Sequence, residues 1–321
     1  QTCPSETSPA AYTCRPSGCQ ARYDGDMHVF VTGASGWIGR ATVEELVGAG
    51  HEVTGLARSD AAAAALTTQG VHVRRGHLDD PDGLRAAATA ADAVIHLANK
   101  HEWSNPAASN AAERSAVQAI GDALVGTGKP FLLASGLLTA VTGRPATEDD
   151  PSPFHGADSP RGGSENLALE FVDRGVHAVP VRFPPTVHGV GDHGFIAHLA
   201  GIARAKGVAG YPGDGTNRWA AVHRSGAARA VALSLAKAPA GARVHAVGEQ
   251  GVPTRVIAEA IGRAAGLPVT SIDPADLTDH FGWLGMFFSR DMTARSSATQ
   301  QLLGWLPTGP TLVEDIDAGA Y

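Results

Sequence analysis

A glycine-rich stretch at residues 28–39, HVFVTGASGWIG, constrains the fold of this chain more than any other feature. It places Gly33, Gly36 and Gly39 directly after an apolar strand-like run and at the start of an amphipathic helical pattern. In a strand–turn–helix unit, such glycines permit a tight turn, let a diphosphate approach backbone N–H groups, and allow close helix–strand packing. The stretch predicts a dinucleotide-binding turn; a helix-opening turn without a ligand is the alternative.

From Met27 onward, apolar strand-like runs alternate with helical patterns, as in parallel βαβ units. Right-handed crossovers then predict a doubly wound parallel α/β sheet of the Rossmann type over residues 27–182. After Arg182 the pattern loosens, which predicts a smaller mixed α/β substrate-binding cap with returning sheet elements over residues 183–321. The predicted strands are 28–32, 52–56, 71–75, 93–97, 130–134 and 177–182.

Composition narrows the classes of partner. The 321 residues are 43% hydrophobic and 18% charged, with a formal net charge of −7. This acidic balance lacks the basic footprint of proteins that bind nucleic acid or anionic membranes. No apolar run approaches the roughly 18 residues of a membrane-spanning helix. We therefore expect a cytoplasmic protein with a small-molecule substrate and neither a nucleic-acid nor a membrane partner.

The first 26 residues differ from the rest. They contain all three cysteines, Cys3, Cys14 and Cys19, and no apolar core of the kind found in signal peptides. The odd number and the spacing match no zinc-binding pattern. We interpret residues 1–26 as a tail or tag-like extension and expect no metal site.

The end of the second predicted strand selects between cofactors. An acidic residue about 20 residues after the glycines would bind a ribose 2′-hydroxyl. Arg58 stands there instead, followed by Ser59, and Arg40 could reach the same group. A guanidinium suits a 2′-phosphate. Asp60 favours the opposite choice, but the sequence as a whole favours NADP(H) over NAD(H).

Several motifs resemble the short-chain dehydrogenase/reductase superfamily, in particular its extended and atypical members, which are similar to NAD-dependent epimerases and dehydratases. The motifs are TGASGWIG at 32–39, GHLD at 76–79, VIHLA at 94–98, SG at 135–136 and RFPPTVHG at 182–189. The resemblance covers about residues 27–321 and implies a Rossmann fold and a homodimer. With the glycine turn and the second strand, it predicts a cofactor site of Gly33, Ser35, Gly36, Trp37, Ile38, Gly39, Arg40, Arg58, Ser59, Leu78, Asp79, Leu97, Ala98, Asn99, Pro184, Thr186 and Val187. It implies that 78–79 flank the adenine, 97–99 the nicotinamide ribose, and 184–187 the carboxamide.

The chain departs from the superfamily at the catalytic pair. Most members use a tyrosine as acid/base and a lysine four residues later, with a serine upstream. At those positions this chain has Arg161 and Glu165. Arginine stays protonated at neutral pH and is a poor acid. The chain therefore resembles an atypical subgroup without the tyrosine, in which Arg161 and Glu165 either take part in catalysis or form an ion pair with each other.

Other groups could polarise a carbonyl or move a proton. Ser135 ends the fifth strand and could hydrogen-bond a substrate carbonyl, with Gly136 as the alternative register match to the family's serine. Thr139 is a weaker candidate of the same kind. His188 replaces an aromatic residue of the family motif, and a histidine is a suitable acid near neutral pH. A structural imidazole is the alternative for His188.

Predicted substrate contacts lie in three segments. They are the loop 142–163, the stretch 215–223, which is similar to a pocket-lining strand of the family, and the aromatic run 280–288. The aromatic run would line an apolar pocket; a core helix or a dimer patch is the alternative. The residues predicted to contact substrate are His155, Arg218, His223, Phe281 and Trp283.

The sequence therefore predicts an NADP(H)-dependent oxidoreductase of the atypical short-chain type, which transfers hydride to an aldehyde or ketone without a catalytic tyrosine. Ser135 with a histidine or a bound water would polarise the carbonyl. Two alternatives stay open. One is a redox-silent dinucleotide-binding sensor, which the missing pair favours. The other is a sugar-nucleotide epimerase or dehydratase in which a bound cofactor cycles.

Overall fold

The computed structural model describes residues 26–100, 102, 105–137, 141 and 143–321. Apart from Asp26, the predicted N-terminal extension with its cysteines lies outside the described residues, as does Thr139. The strands are β1 (His28–Thr32), β2 (Glu52–Ala57), β3 (His72–Arg75), β4 (Ala93–His96), β5 (Pro130–Gly136), β6 (His177–Phe183), β7 (Thr186–His188), β8 (Ala209–Pro212), β9 (Arg218–His223), β10 (Val244–His245), β11 (Glu249–Pro253) and β12 (Val269–Ile272).

The α-helices alternate with these strands. They are α1 (Trp37–Gly48), α2 (Asp60–Thr68), α3 (Pro81–Ala90), α4 (Pro106–Leu124), α5 (Ser164–Glu170), α6 (Phe195–Lys206), α7 (Arg224–Lys237), α8 (Thr254–Ala265), α9 (Leu277–Phe281), α10 (Gly285–Phe288), α11 (Ser297–Leu303) and α12 (Leu312–Asp317). Among the described residues, no helix is long and apolar enough to cross a membrane.

Seven parallel strands form the main sheet in the order β10-β6-β5-β4-β1-β2-β3. The direction of winding reverses between β1 and β4, so their carboxyl ends border the crevice where ligands bind in such sheets. This order confirms the predicted doubly wound Rossmann sheet. The six predicted strands are all present, with ends displaced by at most two residues.

Two apolar layers cover the sheet. One face packs α1 and α7 against residues such as Val31 and Leu132, and the other packs α3, α4 and α5 against residues such as Phe30 and Phe131. Alternate side chains of a strand point to opposite faces, which explains why Phe30 and Val31 enter different layers. Because both faces of the sheet are covered, its strands are mostly apolar. Buried polar side chains such as Thr32 and His96 lie at the carboxyl ends of the strands.

Residues 183–321 build a second layer of structure and also return to the first. Strands β11, β9 and β7 form a small sheet, β8 pairs with β12, and both pack around a third core that contains Trp219 and Phe288. Helix α7 and β10 return to the main sheet, where β10 pairs with β6. The second layer is therefore anchored directly to the dinucleotide-type fold.

Candidate active site

The turn between β1 and α1 has no room for side chains. Gly33 has a φ of +69°, and a Cβ at this position would lie 2.7 Å from the backbone nitrogen of Ala98. A Cβ on Gly39 would lie 2.0 Å from the carbonyl oxygen of Gly33. The Gly36 N–H donates to the same oxygen at 2.9 Å. The result is a cradle of bare backbone at the switch point of the sheet.

Helix α1 opens onto this cradle. It begins at Trp37, its N-cap residue Gly36 supplies no capping side chain, and its first turn contains no acidic residue. The first N–H groups of a helix lack intrahelical acceptors and carry partial positive charge, which suits a phosphate. Ser35 and Ile38 lie half-buried in the turn, and Arg40 is exposed. The bare cradle and the uncapped helix end together fit the diphosphate of a dinucleotide.

The end of β2 carries more positive charge than the sequence suggested. Arg58 is exposed, and Ser59 caps α2 by accepting from the Ala62 N–H. Asp60, the residue that favoured NAD(H), is bonded by the guanidinium of Arg75 from the end of β3. Sequence reasoning missed Arg75, because only the pairing of β2 with β3 brings it beside Ala57.

The predicted adenine side contains one buried and one charged residue. Leu78 is 8% exposed, whereas Asp79 is half-exposed and forms an ion pair of 2.8 Å with Lys100, which follows β4. This pair spans the ends of β3 and β4. Sequence reasoning did not assign Lys100 a role.

The predicted nicotinamide side is tied to the glycine turn. The indole N–H of Trp37 donates to the Val187 carbonyl at 2.7 Å. The N–H of Ala98 donates to Thr32 Oγ1 at 3.3 Å, next to the Leu97 N–H, which donates to the Thr32 carbonyl. These bonds hold the segments after β4 and β6 against the cradle.

Two buried groups lie in the segment after β6. Pro184 is buried, and the hydroxyl of Thr186 is buried without a hydrogen-bond partner among the described residues. An unpaired buried hydroxyl carries a desolvation cost that a ligand can relieve. Residues 184–187 therefore fit the nicotinamide carboxamide that the sequence assigns to them.

Arg161, which the sequence assigns to the position of the family's tyrosine, has an unusual conformation. Its φ is +54°, in the left-handed region, and its backbone N–H donates to Asn110 Oδ1 at 2.9 Å. The guanidinium, 25% exposed, bonds Glu113 of α4 at 2.6 Å. Asn99 also donates to Glu113, at 3.2 Å. Arg161 is thereby held beside the segment that the sequence assigns to the nicotinamide ribose.

Glu113 is the centre of a buried polar chain that sequence reasoning missed. Its carboxylate lies 3.7 Å from His96 Nε2, and His96 Nδ1 lies 2.8 Å from the Thr32 hydroxyl. Burial raises the pKa of Glu113, but Arg161 and His96 outweigh it and lower the pKa to about 2. An acid inside the apolar stripe of α4 is the sequence signal that could have identified it.

Glu165, which the sequence assigns to the position of the family's lysine, forms a second network. It pairs with Arg182 at 2.6 Å, and both side chains are 5% exposed. The Ser135 hydroxyl donates to Glu165 at 2.6 Å, and Arg243 lies 3.5 Å from it. Burial raises the pKa of Glu165, but its bonds to Arg182 and Ser135 give a net lowering. Ser135 is thus bonded to a carboxylate within the protein.

The interpretation of Arg161 and Glu165 as partners in one ion pair is wrong. Each side chain pairs with a different element, α4 for Arg161 and β6 for Glu165. The reason lies in the backbone: Arg161 precedes α5 in a left-handed conformation, so the two residues do not share a helical face.

His188 is fully buried and contacts carboxylates. Its Nδ1 lies 2.6 Å from Asp315 of α12, and its Nε2 lies 3.7 Å from Glu249 of β11. Burial lowers the pKa of His188 despite the opposing effect of Asp315. His223, predicted to contact substrate, lies in the same cluster, with its ring centroid 5.6 Å from that of His188. These contacts match the structural alternative for His188.

The predicted substrate residues lie in different environments. His155 is exposed and lies 3.2 Å from the Asn166 amide, and Arg218 is also exposed. Phe281 is 3% exposed and packs against Phe288, so it belongs to the core of the second layer. Trp283 is 42% exposed. The aromatic run therefore contributes both to a core and to the surface.

Trp283 is part of an aromatic surface that we define as Phe195, Trp283 and Phe287. The ring centroid of Phe195 lies 5.8 Å from that of Trp283 and 6.0 Å from that of Phe287. Buried Trp219 lies beneath, 5.7 Å from Phe195. Phe195 begins α6, which packs against β7, and it follows His193 by two residues; the ring of His193 lies 5.9 Å from that of Trp37.

Comparisons with known proteins agree with this architecture. The sequence model of the NAD dependent epimerase/dehydratase family matches residues 29–248. An uncharacterized protein of Schizosaccharomyces pombe is 42% identical over 300 residues, which cover 92% of this chain and 100% of the relative. An uncharacterized protein of Saccharomyces cerevisiae is 43% identical over 298 residues, covering 91% and 98%.

More distant proteins have named activities. A 2-alkyl-3-oxoalkanoate reductase of Stenotrophomonas maltophilia is 28% identical over 263 residues, covering 75% of this chain and 77% of the reductase. The crystal structure of DesIV, a dTDP-glucose 4,6-dehydratase of Streptomyces venezuelae with NAD and TYD bound, is similar in fold. Its TM-score is 0.72 at 20% identity, covering 92% of this chain and 96% of DesIV.

Proposed function

Because this chain belongs to the NAD dependent epimerase/dehydratase family, we propose that it is an NADP(H)-dependent oxidoreductase that reduces the carbonyl of an apolar aldehyde or ketone. The observation that carries the proposal is the bare glycine cradle at the uncapped start of α1. It fits a dinucleotide diphosphate, and a Cβ on Gly33 or Gly39 would collide with the backbone that shapes it.

The preference for NADP(H) is supported by charge at the end of β2. Arg58 is exposed there, and Arg75 neutralises Asp60, the residue that would otherwise repel a 2′-phosphate. Arginine binds phosphate through a planar fork of N–H donors. Loss of one such contact should weaken binding about tenfold.

The bound dinucleotide would supply the hydride. Arg161 stands where the family has its tyrosine, and its guanidinium would donate hydrogen bonds to the substrate oxygen and stabilise the negative charge that develops there. Because arginine does not release its proton at neutral pH, water would protonate the resulting alkoxide. Glu113 would hold Arg161 in place through their 2.6 Å ion pair.

An apolar substrate is supported by the aromatic surface. Phe195, Trp283 and Phe287 present adjoining rings next to the β7 segment, and such rings can bury the apolar area of an alkyl or aromatic substrate. The Stenotrophomonas maltophilia relative is named as a reductase of 2-alkyl-3-oxoalkanoates, which are keto carboxylates that carry alkyl chains.

The test is calorimetric titration with NADPH and NADH, followed by absorbance assays of NADPH consumption with alkyl and aryl ketones. We expect tighter binding of NADPH, and an Arg58→Ala variant that loses about tenfold for NADPH but little for NADH. Arg85→Ala is the matched control, since this exposed arginine pairs with neighbouring Asp82 on the surface of α3. Failure to bind either dinucleotide would refute the proposal.

Turnover tests the role of Arg161. An Arg161→Ala variant should lose about a hundredfold in kcat, the scale for removal of one oxyanion donor, with dinucleotide affinity nearly unchanged. Arg161→Lys keeps a positive charge opposite Glu113 and therefore serves as the control for correct folding. Equal kcat in wild type and Arg161→Ala would exclude Arg161 as the group that polarises the carbonyl.

A second function has one observation in its favour. Ser135, Arg161 and Glu165 all bond other protein groups, as expected of a site that binds a dinucleotide without turning it over. Tight NADPH binding without consumption across the ketone panel would favour this redox-silent binding protein over the reductase.

A further inference from the structure

Arg224 is placed where it does not stabilise its own helix. It is the first residue of α7, where the helix dipole is positive and a cation is unfavourable. No acidic residue lies in the first turn of α7. Within the described part of the chain, the salt bridges of α7 include Arg229 with Glu45 at 3.0 Å, but none formed by Arg224. Helix stability therefore does not account for this arginine.

The guanidinium of Arg224 lies over an aromatic ring instead. Its Cζ is 4.4 Å from the ring centroid of Trp37, and the residue is half-buried. The indole cannot turn freely, because its N–H is bonded to the Val187 carbonyl and its ring meets the edge of His193 at 5.9 Å. Arg224 is thus held at a defined position beside the first residue of α1.

The two helices start side by side. Arg224 meets Trp37 near the beginning of both helices, and Arg229 meets Glu45 farther along both. Helices α1 and α7 therefore run in the same direction, and their positive ends lie together. Asp315 lies 3.9 Å from His223, the N-cap residue of α7, but among the described residues no ion pair joins a carboxylate to Arg224. Arg224 and the two helix dipoles together therefore favour an anion beside the two helix starts.

We infer that Arg224, held by its stacking on Trp37, is a further diphosphate-binding residue for the dinucleotide. The inference rests on the proposed function, since it assumes that a dinucleotide occupies the glycine cradle. The cation would approach the diphosphate from α7, whereas the cradle approaches it from the turn between β1 and α1. Dinucleotide binding would then also hold α7 against α1.

The test compares affinities of Arg224→Ala and wild type for three probes by competition or titration. NADPH and NADH both carry the diphosphate, whereas adenosine 2′-monophosphate lacks it. We expect Arg224→Ala to weaken both dinucleotides about tenfold and to leave adenosine 2′-monophosphate unchanged. Arg58→Ala should show the opposite pattern, with a loss for NADPH and adenosine 2′-monophosphate and little for NADH.

Arg229→Ala is the matched control, because it removes a positive charge from the same helix without touching Trp37. Equal dinucleotide affinities of Arg224→Ala and wild type overturn the inference and leave the proposed function standing. An equal loss of affinity for all three probes, together with a lowered Tm, also overturns the inference, because it shows that Arg224 has only a structural role. A wild-type protein that binds neither dinucleotide refutes both the inference and the proposed function.

Discussion

Replacing Glu113 by glutamine tests the buried polar chain most directly. The change keeps the shape of the side chain and removes its charge, so Arg161 and His96 lose their carboxylate partner. Glu113 is 1% exposed, which means that water cannot substitute for the lost charge. We expect a clear loss of folding free energy at neutral pH.

The magnitude follows from the lowered pKa. The ordinary value is 4.5 and the folded protein lowers it to about 2, an interval that corresponds to about 3 kcal/mol. Because the pKa of Glu113 is lower in the folded state, its contribution is fully present above pH 4.5 and declines as the pH falls towards 2. Glu113→Gln lacks this contribution at every pH.

The assay is urea unfolding of wild type and Glu113→Gln at a series of pH values. The difference in free energy of unfolding should be about 3 kcal/mol at neutral pH and should shrink as the pH falls below 4.5. Glu45→Gln, which breaks the exposed pair with Arg229, should cost less than about 1 kcal/mol. The reasoning would be refuted if Glu113→Gln also lost less than about 1 kcal/mol, or if its loss of unfolding free energy did not depend on pH.

Three further predictions concern single residues. Glu165→Lys, which introduces the residue type of the family, should lose at least about 3–5 kcal/mol in urea unfolding, because it places a cation against buried Arg182. Glu165→Gln should lose less free energy of unfolding. The reverse order would contradict the buried ion pair of Glu165 with Arg182. Gly33→Ala should abolish dinucleotide binding in calorimetry, since its Cβ would meet the Ala98 nitrogen at 2.7 Å; wild-type affinity would exclude the cradle. Trp283→Ala should raise KM for alkyl ketones about tenfold and leave NADPH affinity unchanged; an unchanged KM would remove the aromatic surface from the substrate site.

The sheet and the glycine turn were predictable because their signals are local. Alternation of strand and helix patterns appears within single windows of sequence, and right-handed crossovers restrict how such units assemble. The three glycines are explained by contacts within one turn and with the neighbouring strand. Gly39, for example, must lack a Cβ because Gly33 O would lie 2.0 Å from it.

The aromatic run at residues 280–288 was harder to interpret from the sequence. Phe281 and Trp283 are two residues apart in one aromatic run, yet one is buried in a core and the other is half-exposed. Phe281 is the last residue of α9, whereas Trp283 lies in the short turn that connects α9 to α10. No periodicity in a run this short distinguishes a core residue from a surface residue.

The sequence by itself determined the doubly wound sheet, the bare phosphate-type turn and the absence of the tyrosine–lysine pair. Only the tertiary structure decided which partners the residues assigned to those positions have: Arg161 bonds Glu113 on α4, and Glu165 bonds Arg182 on β6. It likewise decided that His188 contacts Asp315, far away in sequence. The physical reason is that patterning reports which face of an element is apolar. An ion pair, in contrast, depends on the distance between charged atoms of two elements, and packing alone sets that distance.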